Sequence, residues 1–204
     1  MKRRSCLAAA AAAVVLAACG KKDETSSTSA AAPGAASVPV SLEKIASDAK
    51  GFNVGSTMST RVVYVFFDPQ CPHCAALWEA AKPLKPQARF VWIPVGLLGE
   101  KSFSQGAAIL AAPDPVAAME QNEASVREHT GGISAVNMSD AQIAPVKANT
   151  QLFTQFGFGG VPTIVGKHAV SGELVTIDGA IATQGLAQRL GLVAPATATP
   201  GAGS

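Results

Sequence analysis

The run Val62–Phe67, "VVYVFF", has no charged or amide side chain at any position. Successive residues of a β-strand point to opposite faces, so a strand with one wet face alternates apolar and polar residues. This run does not alternate. It fits a strand buried on both faces, in the middle of a sheet covered by helices on either side. The remaining pattern agrees with an α/β fold. "SLEKIASDAKG" reads as a short amphipathic helix capped by Ser41 and closed at Gly51, with only a loop from there to Thr60. "CAALWEAAKPLK" reads as a helix that starts at or just before Cys71 and is disturbed at Pro83. "ARFVWIPV", from Ala88, is the next strand, and strand–helix–strand at this length points to a βαβ crossover. Three helical segments follow as an insertion: "SFSQGAAILAA", "DPVAAMEQNEASVREH" and "SDAQIAPVKANTQLFTQFG". "PTIVGK" and "GELVTIDG" form a hairpin, and "TQGLAQRLG" a closing helix.

The ends of the chain read differently. Lys2, Arg3 and Arg4 precede an unbroken apolar run from Leu7 to Ala18. That is a charged region followed by a hydrophobic stretch shorter than the roughly 20 residues needed to span a bilayer, as in an export signal. The run ends in "LAACG", Leu16 to Gly20, which resembles the lipobox of bacterial lipoproteins. That resemblance implies cleavage after Ala18 and lipid attachment at Cys19. Gly20, where an aspartate would retain the protein at the inner membrane, implies the outer membrane. Residues 19–40, rich in Ser, Ala, Pro and Gly, read as a flexible tether, and residues 194–204 as a disordered tail. The ordered part, 41–193, is one domain's worth of chain. Removing the leader's three basic residues from the sixteen Lys and Arg leaves thirteen against fourteen Asp and Glu. A near-neutral chain without a basic stripe has no electrostatic basis for binding nucleic acid.

Cys71 and Cys74 bracket Pro72 and His73 in a C-x-x-C spacing. A structural zinc site needs four ligands, whereas the pair supplies two and no second C-x-x-C exists. A structural disulfide across so short a loop removes little entropy from the unfolded chain. Copper-binding thioredoxin-like lipoproteins usually place three residues between their cysteines and add a downstream histidine. A copper carrier, or a lipoprotein that merely docks a partner, therefore stands as the alternative to a redox pair. The redox reading has local physical support. At the first turn of a helix, unpaired N–H groups and the positive end of the dipole favour an anion. Cys71 should thus ionise below the usual cysteine pKa of about 8.5. Pro72 suits the first helical position, where its missing N–H costs nothing, and His73 can bring positive charge near the sulfur. Cys71 is expected to be the exposed, attacking sulfur and Cys74 the resolving one. No cofactor and no metal are expected.

In "FGFGGVPTIV", Val161-Pro162 stands directly before a strand, where a proline is tolerated. A strand leading into a C-x-x-C helix, a helical insertion, then a hairpin and helix follows the thioredoxin-like order. In that fold a cis-proline faces the cysteine pair, and the residue before it pairs with the substrate backbone. More specifically, "VYVFFDPQCPHCAALWEAAKPL", "AAILAAPDP" and "GVPTIV" resemble the catalytic domain of the periplasmic disulfide isomerases DsbG and DsbC, over roughly Arg61 to Gly191. The resemblance implies Cys71 as nucleophile, Cys74 as resolver, and Val161 and Pro162 as the substrate-binding loop. It implies cysteine-containing exported proteins as substrates and a membrane electron partner of the DsbD or DsbB kind.

Two departures bear on this. Pro72-His73, and Val161 before the proline, match the strong oxidase DsbA rather than DsbC and DsbG. The stretch between tether and first strand holds no counterpart of the isomerases' dimerisation domain, so a monomer is expected. A buried acid six residues before the first cysteine, kept by thioredoxin and DsbA, is Val65 here. The nearest acid, Asp68, lies in the loop, which leaves proton handling to water or His73. The motif points to an oxidant, the surrounding domain to a reductase or isomerase.

Overall fold

A computed structural model describes residues 37–196. The leader, Cys19, the tether as far as residue 36 and the end of the tail, 197–204, lie outside the described residues. Five strands form one sheet: β1 (Phe52–Gly55), β2 (Val62–Phe67), β3 (Arg89–Pro94), β4 (Thr163–Lys167) and β5 (Leu174–Asp178). Their order is β1-β3-β2-β4-β5. The β2–β3 pair is parallel and the other pairs are antiparallel. Six α-helices accompany them among the described residues: α1 (Leu42–Asp48), α2 (Pro72–Ala81), α3 (Glu100–Ala111), α4 (Pro115–Arg127), α5 (Asp140–Gln155) and α6 (Thr183–Leu190).

The apolar run behaves as its composition requires. Val63, Val65 and Phe67 join a core with Leu77 and Trp78 of α2, Met119 of α4 and Leu186 of α6. Phe66, with Tyr64 packed at its edge, joins a second core with Ile45 of α1 and Leu152, Phe153 and Phe156 near the end of α5. The neighbouring β3 divides likewise, with Phe90 and Trp92 on one side and Ile93 on the other. The sheet is thus the middle of three layers. Each fully buried large side chain contributes on the order of 1.5–3 kcal/mol.

The helix ends follow local chemistry. Ser41 caps α1 through Lys44 N–H, Asp114 caps α4 through Val116 and Ala117 N–H, and Ser139 with Gln142 closes a capping box on α5. Pro83 ends α2 as a short 3₁₀ turn over Lys82–Leu84. Gly191, at φ 66°, gives α6 its left-handed stop. Three expectations need correction. Residues 52–55 form an edge strand on β3 rather than a loop, and α1 ends at Asp48 instead of Gly51. Helix α3 begins at Glu100, directly after Gly99.

Phe66 is fully buried and meets Phe153 and Phe158 at ring-centroid distances of 5.8 and 5.6 Å. Phe66→Ala should lower unfolding stability in urea by about 3–5 kcal/mol. Met58→Ala, at a side chain 91% exposed, should stay within about 0.5 kcal/mol of the parent. Equal effects at the two positions would contradict the three-layer packing.

Candidate functional site

The parallel β2–β3 pair brings two loops together at the carboxyl ends of these strands. One is Asp68–Cys71, leading into α2; the other is Val95–Gly99, leading into α3. Asp68, fully buried, holds them to each other. Its Oδ1 accepts from Gln70 N–H at 2.8 Å and Ser102 Oγ at 2.7 Å. Its Oδ2 accepts from Leu97 N–H at 2.7 Å and Leu98 N–H at 2.9 Å. The Asp68 carbonyl receives Cys71 N–H at 3.0 Å. The turn into Cys71 is therefore set by Asp68, through its carbonyl at Cys71 and its carboxylate at Gln70, a residue that expectation had noted only as a loop acid.

Cys71 is the N-cap residue of α2, with Pro72 at the first helical position and Cys74 one turn in. Both cysteines are free thiols. Cys74 is fully enclosed and Cys71 only 5% exposed, less open than the sequence implied. The reason lies across the sheet. The Val161–Pro162 bond is cis, and the Val161 carbonyl faces Cys71 Sγ at 3.7 Å, covering the sulfur from the β4 side. The C-x-x-C turn and the Val161–Pro162 loop, remote in sequence, thus form one site.

The electrostatics separate the two sulfurs. The Cys71 thiol is lowered to about 6, chiefly by a hydrogen bond from the Cys74 thiol. Burial opposes this, while the backbone N–H groups of Cys74 and His73, and last the His73 charge, assist it. His73 sits exposed on the first turn of α2, and its effect is smaller than the motif alone led one to expect. Cys74 moves the other way: burial first, then its bond to Cys71 and the charge of Cys71, push its thiol well above the ordinary range.

Behind the pair lies a polar cluster from the helical insertion that sequence reasoning missed. Gln70 Nε2 donates to Gln105 Oε1 and, at 2.9 Å, to the Gly131 carbonyl. Gln105 Nε2 donates to the Gly131 and Ile133 carbonyls at 2.9 and 2.7 Å. Asn122 Nδ2 donates to the Pro69 carbonyl at 2.9 Å, and its Oδ1 accepts from Ile133 N–H at 3.1 Å. Gly132, at φ 80°, passes so close that an added Cβ would lie 2.6 Å from both Asn122 Oδ1 and Gln105 Nε2. Beside Asn122, Glu123 is fully buried. The inward stripe of α4 is Met119, Asn122, Glu123 and Val126. The Asp114 cap with Met119 and Val126 seven apart is the signal that could have placed Asn122 and Glu123 on that face. Among the described residues, no three His, Cys, Asp or Glu side chains come together as a metal site.

No family model matches the chain. The thiol:disulfide interchange protein DsbG of Pseudomonas aeruginosa is 33% identical over 141 residues, covering 67% of this chain and 54% of that protein. DsbG of Escherichia coli (strain K12) is 36% identical over 107 residues, covering 50% of this chain and 42% of that protein. The chain thus spans about half the length of the curated relatives it matches. Among solved structures, the catalytic domain of Proteus mirabilis ScsC superposes with a TM-score of 0.55 at 18% identity, covering 73% of this chain and 92% of that one. At that identity the likeness speaks for the fold. Sequence and fold agree: the described residues form a thioredoxin-like domain similar in sequence to part of DsbG.

Proposed function

We propose that the protein is a thiol-disulfide oxidoreductase that exchanges disulfides with cysteines of exported proteins through Cys71 and Cys74. The observation that carries this reading is the split within one buried dithiol: the Cys71 thiol falls to about 6 while Cys74 is pushed up. Cys71 is then the thiolate at neutral pH and Cys74 the protonated reserve. In reduction, Cys71 Sγ attacks a client disulfide and one client sulfur leaves as thiolate. Cys74 then displaces the second client sulfur from Cys71, closing the Cys71–Cys74 disulfide. Two electrons pass from the domain to the client, and oxidation of a client dithiol is the same path reversed. The loop of Val161 and Pro162 is the surface for the client backbone. Pro72 and His73 tune the Cys71 thiolate. The alternative, a copper-binding or partner-docking protein, has weaker support, because the pair has no third donor among the described residues.

Direction follows from which form the site stabilises. Each unit by which the Cys71 pKa falls favours the thiolate by about 1.4 kcal/mol, or about 30 mV for a two-electron couple. The fall from 9.0 to about 6 therefore favours the dithiol and makes the disulfide oxidising. We place the protein in the periplasm, exchanging electrons with a membrane partner of the DsbB or DsbD kind and held to the outer membrane through Cys19. Support for the anchor is the sequence "LAACG".

Cys71→Ala should abolish reduction of a peptide disulfide, whereas Cys74→Ala should accumulate mixed disulfides with exported proteins on non-reducing gels. Equal inactivity of the wild type and Cys71→Ala, with stoichiometric copper binding by the wild type, would establish the alternative instead. The ultraviolet absorbance of the Cys71 thiolate should appear with a midpoint at about 6. Because the Cys74 thiol is the largest lowering influence, Cys74→Ala should move that midpoint upward by more than His73→Ala does. The opposite order would mean that His73, not Cys74, controls the thiolate. Cys19→Ala should release the protein from the membrane fraction, and unchanged sedimentation with membranes would exclude the lipid anchor.

A further inference from the structure

Helix α4 turns four side chains toward the layer that holds the cysteines, and the two polar ones among them are treated unequally. Asn122 has partners for both ends of its amide, on Pro69, Glu123 and Ile133. Glu123, also fully buried, receives only one bond, from Asn122 Nδ2 to its Oε1 at 3.2 Å. Its Oε2 is buried with no hydrogen-bond partner among the described residues. No cation completes it. Arg127, one turn on, gives its Nε to the Glu123 backbone carbonyl at 3.4 Å and pairs its Nη1 with Glu79 at 3.0 Å. A buried carboxylate so placed is costly when charged and is more comfortable with a proton. A glutamine could make the same Asn122 contact without that penalty, so packing alone does not explain an acid here.

The groups that act on Glu123 are those of the site. Burial is the first cause that pushes its carboxyl up, to about 8; Asn122 opposes, the Cys71 and Asp68 charges push it further up, and Arg127 pulls it down. Glu123 in turn raises Cys74. From α2 the ionisable residues nearest the pair are Cys74 and the exposed His73. From α3 the cluster meets neutral Gln105, while Glu100 and Lys101 stand at that helix's start; β1 contributes none. Glu123 and the two sulfurs are therefore electrostatically linked, and the charge on Cys71 adds to burial in raising the other two.

We propose that Glu123 is the buried acid–base partner of the redox pair, taking at Oε2 the proton that Cys74 gives up when the disulfide closes, passing it on to solvent, and supplying a proton to Cys74 when the disulfide opens. The step balances as follows. With the client bound to Cys71 as a mixed disulfide, the Cys74 S–H proton passes to Glu123 Oε2. The sulfur electron pair forms the Cys74–Cys71 bond, the Cys71–client bond breaks, and the client sulfur leaves as thiolate with that bond's electron pair. The domain loses two electrons and the client gains them; Glu123 then releases its proton to solvent. The timing is built in. While Cys71 is a thiolate its charge adds to burial in favouring the protonated Glu123, and once Cys71 is capped by the client that charge is gone and Glu123 ionises more readily. It becomes a base at the moment Cys74 needs one. Glu123 touches neither sulfur in this dithiol structure, and contacts of this kind tighten only in the reacting complex. It is a proton-holding residue that acts through Cys74.

This inference rests on the exchange reaction proposed above, and the test separates the two. The full chain is mixed with a saturating peptide disulfide, quenched with acid, and the decay of the mixed disulfide is followed from about pH 5 to about pH 9. For the wild type, the rate should rise through one inflection at neutral to mildly alkaline pH. Glu123→Gln should lose that inflection and run about 100-fold slower at neutral pH, while Glu123→Asp keeps an inflection. Alkylation of Cys71 in Glu123→Gln should keep its midpoint near that of the parent, which a merely structural defect would not do. An unchanged profile in Glu123→Gln, or an equal loss of alkylation and resolution, overturns the inference while leaving the exchange reaction standing. A wild type that never reacts with the peptide overturns both. Should Glu123→Gln fail to fold, redox-difference infrared spectra of the wild type decide. A protonated carboxyl band present in the dithiol and absent from the disulfide near neutral pH supports the inference, and a band indifferent to redox state overturns it.

Discussion

The carboxylate of Asp68 accepts four hydrogen bonds while wholly removed from water, from Gln70, Ser102, Leu97 and Leu98. Burying an unpaired carboxylate costs several kcal/mol, and hydrogen bonds to a charged group return about 1.5–3 kcal/mol each. The arrangement is stable only with its full complement of donors. Two of these donors are the Leu97 and Leu98 N–H groups in the loop after β3, one is on α3, and one is in the turn that presents Cys71. A single side chain thus registers the β2–α2 turn against the neighbouring loop and the helical insertion. The Cys71 thiolate, the Val161 carbonyl opposite it and the α4 stripe behind it all keep their positions relative to that anchor.

The second organising fact is a division of labour between the faces of β2. One face packs on α2, α4 and α6 and carries the site; the other packs on α1 and α5 over a mainly apolar core, where the buried amide of Asn149 is fully engaged with Lys50 and Pro94. The redox chemistry is therefore confined to one layer. The cysteines exploit the boundary of the polar layer. Cys71 sits at the helix start, where donors converge, and Cys74 one turn deeper, where burial dominates, so one local geometry moves two identical side chains in opposite directions.

What could be read in the sequence was whatever local pattern determines. Val62–Phe67 reads as a doubly covered strand and the β3 run as the strand after it. The cap at Ser41 announces α1, and the C-x-x-C with Val161-Pro162 announces the site. Residues 52–55 were illegible because the three residues between Gly51 and Gly55 carry too little pattern, and pairing with β3 alone makes them a strand. Gln105, Asn122 and Glu123 were illegible for a related reason. Each is polar within a helix that could as well have shown it to solvent, and only the packing of α3 and α4 over the cysteine turn decides otherwise. The enclosure of Cys71 likewise depends on a loop distant in sequence. His73 acts on Cys71 through its backbone N–H before its charge, because its ring stays in water.

The two tryptophans of the chain have a practical consequence. Trp78 lies one turn after Cys74, edge-on to Trp92 with ring centroids 5.0 Å apart, and its indole N–H donates to Glu120 at 2.7 Å. Both belong to the same core as the two sulfurs. Thiolates and disulfides are efficient quenchers of indole emission, and no third indole exists elsewhere to dilute the signal. The protein therefore carries its own optical probe: native emission, read without any label, samples the neighbourhood of the cysteine pair alone.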